Sequence, residues 1–179
     1  VGRVAPSKAI ADVLRIFAIY KHNINPNAEL FIVGSLNVTT YVEALKSLIN
    51  DLSLVNSAHL VGLVPDSQLE AYYRQADLYL TTSHHEGFCV PLLESMVHGV
   101  PILARQSSAI PETLGEAGVM FQELGYEAVA EMAHLLLSDA VIRQQVIQKQ
   151  QQRAADFNTT RAAARLRAVL TRLEGTAGE

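Results

Sequence analysis

The chain has 179 residues, 49% of them hydrophobic and 18% charged, with 14 Lys and Arg against 18 Asp and Glu and a formal net charge of −4. That is enough chain to bury a full core without disulfides or a structural metal. No apolar run approaches the ~18 residues needed to cross a bilayer, and no block of like charge offers a broad nucleic-acid-binding face. One cysteine, Cys89, excludes an internal disulfide and a multi-cysteine zinc site, and it fits a reducing compartment, so the expected location is the cytoplasm.

The chain opens at Val1, with no Met, basic n-region or signal-like stretch, and is expected to begin inside something longer. Short apolar runs then alternate with longer helical patterns, the pattern of strand-helix-strand units and a parallel sheet. A helix is expected over Ser7 to Lys21, a strand over Leu30 to Val33, a helix over Thr40 to Leu52 and a strand over His59 to Leu63. Next come a helix over Ser67 to Arg74 with Asp66 as N-cap, Asp77 ending it or capping a turn, and a strand over Leu78 to Thr81. A helix over Pro91 to His98 comes after it, with Pro91 in its first turn. Strands over Ile102 to Ala104 and Val119 to Phe121 complete the sheet. Helices over Tyr126 to Leu137, Asp139 to about Ala155 and Thr159 to Leu173 close the chain. The last two are rich in Gln, Arg and Ala and are expected on the outside. Several strands are apolar on consecutive residues, as when helices cover both sheet faces. In such folds the loops at the carboxyl edge of the sheet carry the ligand.

At that edge the informative stretch is Thr81-Thr82-Ser83-His84-His85-Glu86-Gly87-Phe88-Cys89-Val90-Pro91-Leu92-Leu93-Glu94. It comes after a strand and opens a helix. Gly87 allows close backbone approach, and the amides after it form an unsatisfied helix N-terminus whose partial positive charge suits a phosphate. Eight helical residues span roughly 12 Å, beyond the separation of about 5–5.5 Å between the paired carboxylates of a retaining glycosidase. Glu86 and Glu94 therefore read as two clamps on one elongated ligand, with an anion between them. His84-His85-Glu86 lacks the H-E-x-x-H spacing of a zinc helix, and no metal is expected. Cys89 is read as a small residue packed at a helix start, although such a position can make a thiol reactive. Gly34-Ser35 could approach a ligand, though a turn glycine needs none.

Glu86, seven residues, then Glu94 resembles the E-x7-E motif of retaining glycosyltransferases of the GT-B fold, in particular the group 1, family 4 enzymes. The resemblance covers essentially the whole chain. Val1-Gly2-Arg3-Val4-Ala5-Pro6-Ser7-Lys8 is similar to the G-R-L-x-x-x-K segment that opens that family's C-terminal domain. Gly62-Leu63-Val64-Pro65, Leu69, Tyr73 and Ala76-Asp77 are similar to its middle segment. His98-Gly99-Val100-Pro101-Ile102 and Ile110-Pro111-Glu112 are similar to the family's residues on the C-terminal side of the motif.

The resemblance implies a three-layer α/β/α Rossmann-like domain over residues 1–179, the donor-binding half of an enzyme whose N-terminal acceptor domain lies outside this sequence. It implies that Arg3 and Lys8 contact the donor diphosphate, Glu86 the sugar hydroxyls and Glu94 the ribose. Gly2, Gly87, Phe88, Cys89 and Val90 would line the sugar and phosphates, with Val64 beside the nucleobase. Cys89 stands where the family more often has Gly, which would trim the sugars that fit. The expected function is transfer of a sugar from a nucleotide-diphosphate donor with retention, needing neither metal nor cofactor and involving neither nucleic acid nor membrane contact. The alternatives are a non-catalytic sugar-nucleotide-binding module, or another GT-B enzyme such as a phosphorylase or sugar-nucleotide epimerase.

Overall fold

A computed structural model describes residues 1–158; the helix expected over Thr159 to Leu173 lies outside them. Among the described residues five strands are formed, β1 (Leu30–Val33), β2 (Ala58–Gly62), β3 (Tyr79–Thr81), β4 (Ile102–Arg105) and β5 (Val119–Phe121), all within a residue or so of expectation. The helices are α1 (Ile10–Asn23), α2 (Thr39–Asp51), α3 (Asp66–Gln75), α4 (Val90–His98), α5 (Ile110–Leu114), α6 (Tyr126–Ser138) and α7 (Ala140–Ala154).

Every strand pairing is parallel, but the sheet is divided among the described residues into a two-stranded ladder, β1-β2, and a three-stranded ladder, β3-β4-β5. Residues 1–8 run between the carboxyl ends of the two ladders. On one side the Gly2 N–H donates to the Val33 carbonyl and the Val4 N–H to that of Ser35, both at 2.9 Å. On the other side the His84 N–H donates to the Ser7 carbonyl at 2.9 Å, and the Thr82 hydroxyl to that of Ala9 at 2.8 Å. Gly34 exists for this crossing: a Cβ there would stand 1.8 Å from the Gly2 carbonyl oxygen, so any side chain would push the first segment away.

Helices cover both faces, giving three layers. Strand β4 shows the alternation, since Ile102 and Ala104 pack among Leu92, Met96, Ile110 and Leu114, whereas Leu103 packs among Ile16, Val129, Ala130 and Ala133 on the opposite face. A third cluster joins α1, β1 and α2 through Leu14, Phe17, Ile32, Val42, Leu45 and Ile49. Asp12 ties the layers electrostatically: its carboxylate meets Arg105 of β4 at 3.1 Å and accepts from the Tyr126 hydroxyl of α6 at 2.8 Å.

Four local expectations need correction. The first helix does not start at Ser7; Pro6–Lys8 form a single 3-10 turn, Ala9 turns left-handed (φ 47°), and α1 starts at Ile10. That break turns Lys8 out of the helix and toward the sheet edge. Asp66 is the first residue of α3 rather than its cap, the cap position being Pro65, which has no side-chain donor or acceptor. The α3 helix ends at Gln75, two residues before Asp77, whose exposed side chain caps nothing among the described residues. The outer helix α7 is capped by Asp139, whose side chain accepts from the Val141 and Ile142 amides, yet α7 also reaches inside. Gln150 is fully buried, its amide donating to the Val100 carbonyl at 2.8 Å and accepting from the Ile102 N–H at 3.3 Å.

Candidate donor site at the carboxyl edge

The crossing of residues 1–8 delivers Gly2, Arg3 and Lys8 to the carboxyl edge of the sheet, and the loop after β3 delivers Glu86. The Lys8 Nζ lies 2.6 Å from Glu86 Oε2. The Glu86 side chain is 8% exposed and that of Lys8 27%, so the carboxylate is sunk into the edge and the ammonium covers it. Lys8 keeps two more N–H donors, and the bond engages only one oxygen of Glu86. A cavity of about 60 Å³ is walled in part by Gly2, Arg3, Lys8, Thr81, Ser83 and Glu86. Arg3 is exposed and makes no ion pair with the described residues.

The loop carrying Glu86 is held from behind. Thr113 of α5 donates to the Phe88 carbonyl at 2.7 Å. Ser107 donates to the Ser83 carbonyl and Ser108 to that of His84, while Ser108 also meets His85 Nδ1 at 3.3 Å. Sequence reasoning missed α5 and these anchors. A five-residue helix carries no periodicity, and a serine pair after a strand looks like any other turn.

At the start of α4, Cys89 occupies the cap position in the left-handed region (φ 61°, ψ 66°), and Pro91 lies in the first turn as expected. Gly87 faces open space where a Cβ would stand, so nothing in the protein itself requires a glycine there. Cys89 is buried, and burial pushes its thiol up to about 12, with the Glu86 carboxylate adding to the effect. The reactive-thiol reading therefore fails: desolvation of the thiolate outweighs the helix N-terminus.

Glu94 lies in the second turn of α4 and accepts from the Tyr73 hydroxyl at 2.8 Å. Tyr73 is buried, lies flat against His98 (ring centroids 5.4 Å apart) and has its phenol pushed well above the ordinary value by burial and by that carboxylate. Glu86 and Glu94 flank the N-terminus of α4, Glu86 in the loop before it and Glu94 in its second turn. Phe88 and Val90 are exposed beside it, Phe88 meeting Phe157 edge to face at 5.3 Å. Val64 lies in the loop after β2, which the Gly34 N–H to Gly62 carbonyl bond of 2.8 Å ties to the loop after β1; no described contact joins it to the Lys8–Glu86 pair. His84 and His85 gather no third ligand, and among the described residues no group of three His, Cys, Asp or Glu is placed to hold a metal.

Residues 1–153 match the family described as glycosyl transferases group 1. The chain belongs to that family. It is similar to O-antigen chain mannosyltransferase B of Escherichia coli, 27% identical over 138 residues that make up 77% of this chain and 35% of the relative. The group 1 glycosyltransferase chain thus spans about a third of that relative's length. Among solved structures it resembles the C-terminal domain of a group 1 family protein (LpcC) from Francisella tularensis. The TM-score is 0.73 at 19% identity, covering 88% of this chain and 83% of that one. It also resembles Anabaena HepE in complex with UDP, with a TM-score of 0.81 at 21% identity over 95% of this chain and 48% of that one. These likenesses establish the three-layer Rossmann-like fold. In the described residues no helix is long and apolar enough to cross a membrane.

Proposed function

We propose that residues 1–179 are the donor-binding domain of a cytoplasmic, retaining, metal-independent glycosyltransferase of family 4, with Glu86 and Glu94 as its E-x7-E pair. The acceptor domain would lie elsewhere in the complete enzyme. The observation that carries the reading is the Lys8–Glu86 pair, 2.6 Å apart beside the N-terminus of α4 at the carboxyl edge. One cation and one carboxylate, joined but each with bonding capacity left, suit a ligand that presents phosphate oxygens and sugar hydroxyls side by side. That HepE is solved with UDP, and with UDP-glucose, supports a nucleotide-diphosphate sugar as donor.

In the reaction the bond between the anomeric carbon and the diphosphate oxygen breaks, and its electron pair leaves with the diphosphate. The acceptor oxygen bonds to the same face of that carbon and passes its proton to an oxygen of the departing diphosphate. Arg3, Lys8 and the amides of Gly87, Phe88 and Cys89 stabilise the charge growing on the diphosphate, fixed in place before the bond breaks. Supplied this way, the positive charge needs no divalent ion. Glu86 holds the sugar, and Glu94, fixed by Tyr73, holds the ribose.

Calorimetry on Glu86→Ala and Glu94→Ala, each with UDP, GDP and ADP and with matching nucleotide sugars, tests the reading. Losing Glu94 should weaken diphosphate and nucleotide sugar alike, by roughly tenfold to hundredfold, since a hydrogen bond to a charged group contributes about 1.5–3 kcal/mol. Losing Glu86 should weaken only the sugar-bearing ligand. Equal loss of the free diphosphate in both variants would remove the two-ended clamp. Strong loss of affinity on adding a chelator would remove metal independence.

A further inference from the structure

Between Glu86 and the first residue of α4 the chain has little of its own to fix it. Gly87 faces open space where a Cβ would stand, and the Phe88 ring is 41% exposed. One bond decides how the loop lies: the Thr113 hydroxyl donates to the Phe88 carbonyl at 2.7 Å. The Phe88 carbonyl and the Cys89 N–H belong to the same peptide unit, and in a planar trans unit the two point in opposite directions. By holding the carbonyl toward α5, Thr113 therefore turns the Cys89 N–H away from α5. Among the described residues nothing accepts that N–H, as at a helix start without a side-chain cap, although Cys89 itself is buried. An unmet donor in a buried residue is the kind of group that an oxyanion satisfies.

Thr113 is in turn held from the other end of the described chain. Arg153, in the last turn of α7, donates from Nε to the Thr113 carbonyl at 3.1 Å and from Nη2 to the Glu112 carbonyl at 2.7 Å. One planar guanidinium thus ties off two carbonyls that the short helix α5 leaves without helical partners. Its Nη1 meets Asp156 at 3.1 Å, and its face lies over the Phe157 ring, 4.7 Å from the centroid. Phe157, in the 3-10 turn Ala155–Phe157 that follows α7, then meets the Phe88 ring edge to face, with centroids 5.3 Å apart. The contacts close a circuit: Phe88 is gripped at its carbonyl by Thr113 and at its ring by Phe157, and both grips rest on Arg153.

We propose that Thr113 and Phe157, braced by Arg153, are positioning residues that aim the Cys89 amide at the donor's diphosphate. The inference rests on the donor-site reading above and adds to it residues that are not among the donor contacts named there. Two observations separate it from ordinary packing. The Phe88 ring is too exposed for burial alone to fix it. Thr113 spends its hydroxyl on the one carbonyl whose direction sets a free N–H at the site, whereas a buried hydroxyl on a helix can simply meet its own helix, as Ser95 does by donating to the Pro91 carbonyl at 2.7 Å.

The test compares the full chain with Thr113→Val, Thr113→Ser, Phe157→Leu and Arg153→Lys, each titrated with UDP, GDP and ADP and with uridine, guanosine and adenosine. In Thr113→Val and in Phe157→Leu, the diphosphate that the parent chain binds best should lose roughly threefold to tenfold in affinity. Its nucleoside, which lacks the phosphates, should change by less than about twofold. Thr113→Ser keeps the hydroxyl and should bind like the parent. Arg153→Lys loses the planar fork and should fall between. Without any ligand, the Cys89 amide should show a lower NMR order parameter in Thr113→Val than in the parent. Thermal melts establish that each variant is folded; if Thr113→Val is not, Phe157→Leu, at a half-buried position, carries the comparison. Equal loss of nucleoside and diphosphate would overturn the proposal, as would unchanged diphosphate affinity in the folded variants, and the donor-site reading would stand in either case. A parent chain that binds none of the three diphosphates would remove that reading, and this one with it.

Discussion

Lys8 and Glu86 are 78 residues apart in sequence and 2.6 Å apart in space. Their contact clips the segment that crosses the sheet edge onto the loop that opens α4. Because Glu86 is the more buried partner, removing Lys8 strands a carboxylate in a poorly solvated place. Lys8→Ala should cost about 2–3 kcal/mol in urea unfolding, below the ~3–5 kcal/mol of a fully buried pair because Lys8 retains some water. Glu86→Gln keeps a hydrogen-bond acceptor for Lys8 and should cost only about 1 kcal/mol. The double variant should then be more stable than Lys8→Ala alone, since it no longer buries a lone charge. A double variant whose loss equals the sum of the single losses would show that the pair contributes nothing by its contact.

The Tyr73 hydroxyl donates to Glu94, and on the proposed reading it holds that carboxylate for the ribose. Its ring is fixed by burial and by His98, so Tyr73→Phe should fold, keep the stacking and lose only the hydroxyl. Glu94 would then sample other rotamers, and UDP affinity should drop roughly threefold to tenfold by calorimetry. In the background of Glu94→Ala the same substitution should change affinity by less than about twofold. Equal effects in both backgrounds would show that Tyr73 serves the fold and does not position the glutamate.

The sequence made some of this legible and hid the rest for physical reasons. Strands such as Ile102–Arg105 declare themselves because apolar residues on consecutive positions can only be buried on both faces. The stretch from Thr81 to Glu94 could be placed at the edge because Gly87, Pro91 and the preceding strand are local signals. The pairings of Lys8 with Glu86 and of Tyr73 with Glu94 were not legible, since they join elements far apart in the chain. Nor was the break at Ala9: alanine favours helix, and only the tertiary position of residues 1–8 forces it left-handed. Gly34 was ambiguous in sequence and is decided by its distance to Gly2. The buried Gln150 was masked by a polar helix whose outer face dominates its composition.

Cys89 sits at φ 61°, where a side chain costs roughly 1–2 kcal/mol and a β-branched one more. Glycine there should recover the backbone strain while giving up the buried thiol, so Cys89→Gly should change stability by less than about 1 kcal/mol. Cys89→Val, similar in size but branched at Cβ, should lose about 2–3 kcal/mol. Thermal melts of both variants at neutral pH decide this. If valine were as well tolerated as glycine, the left-handed cap would not be a constraint on this position.

The same residue sets an alkaline limit on stability. In the folded chain the Cys89 thiol is pushed from 9.0 up to about 12, first by burial and then by the Glu86 carboxylate. In the unfolded chain it ionises near its ordinary value. Below about pH 9 both states hold the proton, and the group contributes no pH dependence. Between about 9 and 12 the unfolded state releases the proton while the folded state retains it, so the unfolded state is favoured progressively, with a slope approaching about 1.4 kcal/mol per pH unit. Tyr73, whose phenol is also raised from 10.0 by burial and Glu94, steepens the loss above pH 10. The difference in urea midpoint between the parent chain and Cys89→Gly, measured from pH 7 to 11, should therefore be flat to about pH 9 and then fall. Cys89→Gly should delay the onset by about one unit, leaving the tyrosine contribution. A thiol reagent at pH 8 should label folded Cys89 far more slowly than the urea-unfolded chain. Rapid labelling of the folded protein, or an onset unchanged in Cys89→Gly, would mean that the thiol is not held neutral by burial.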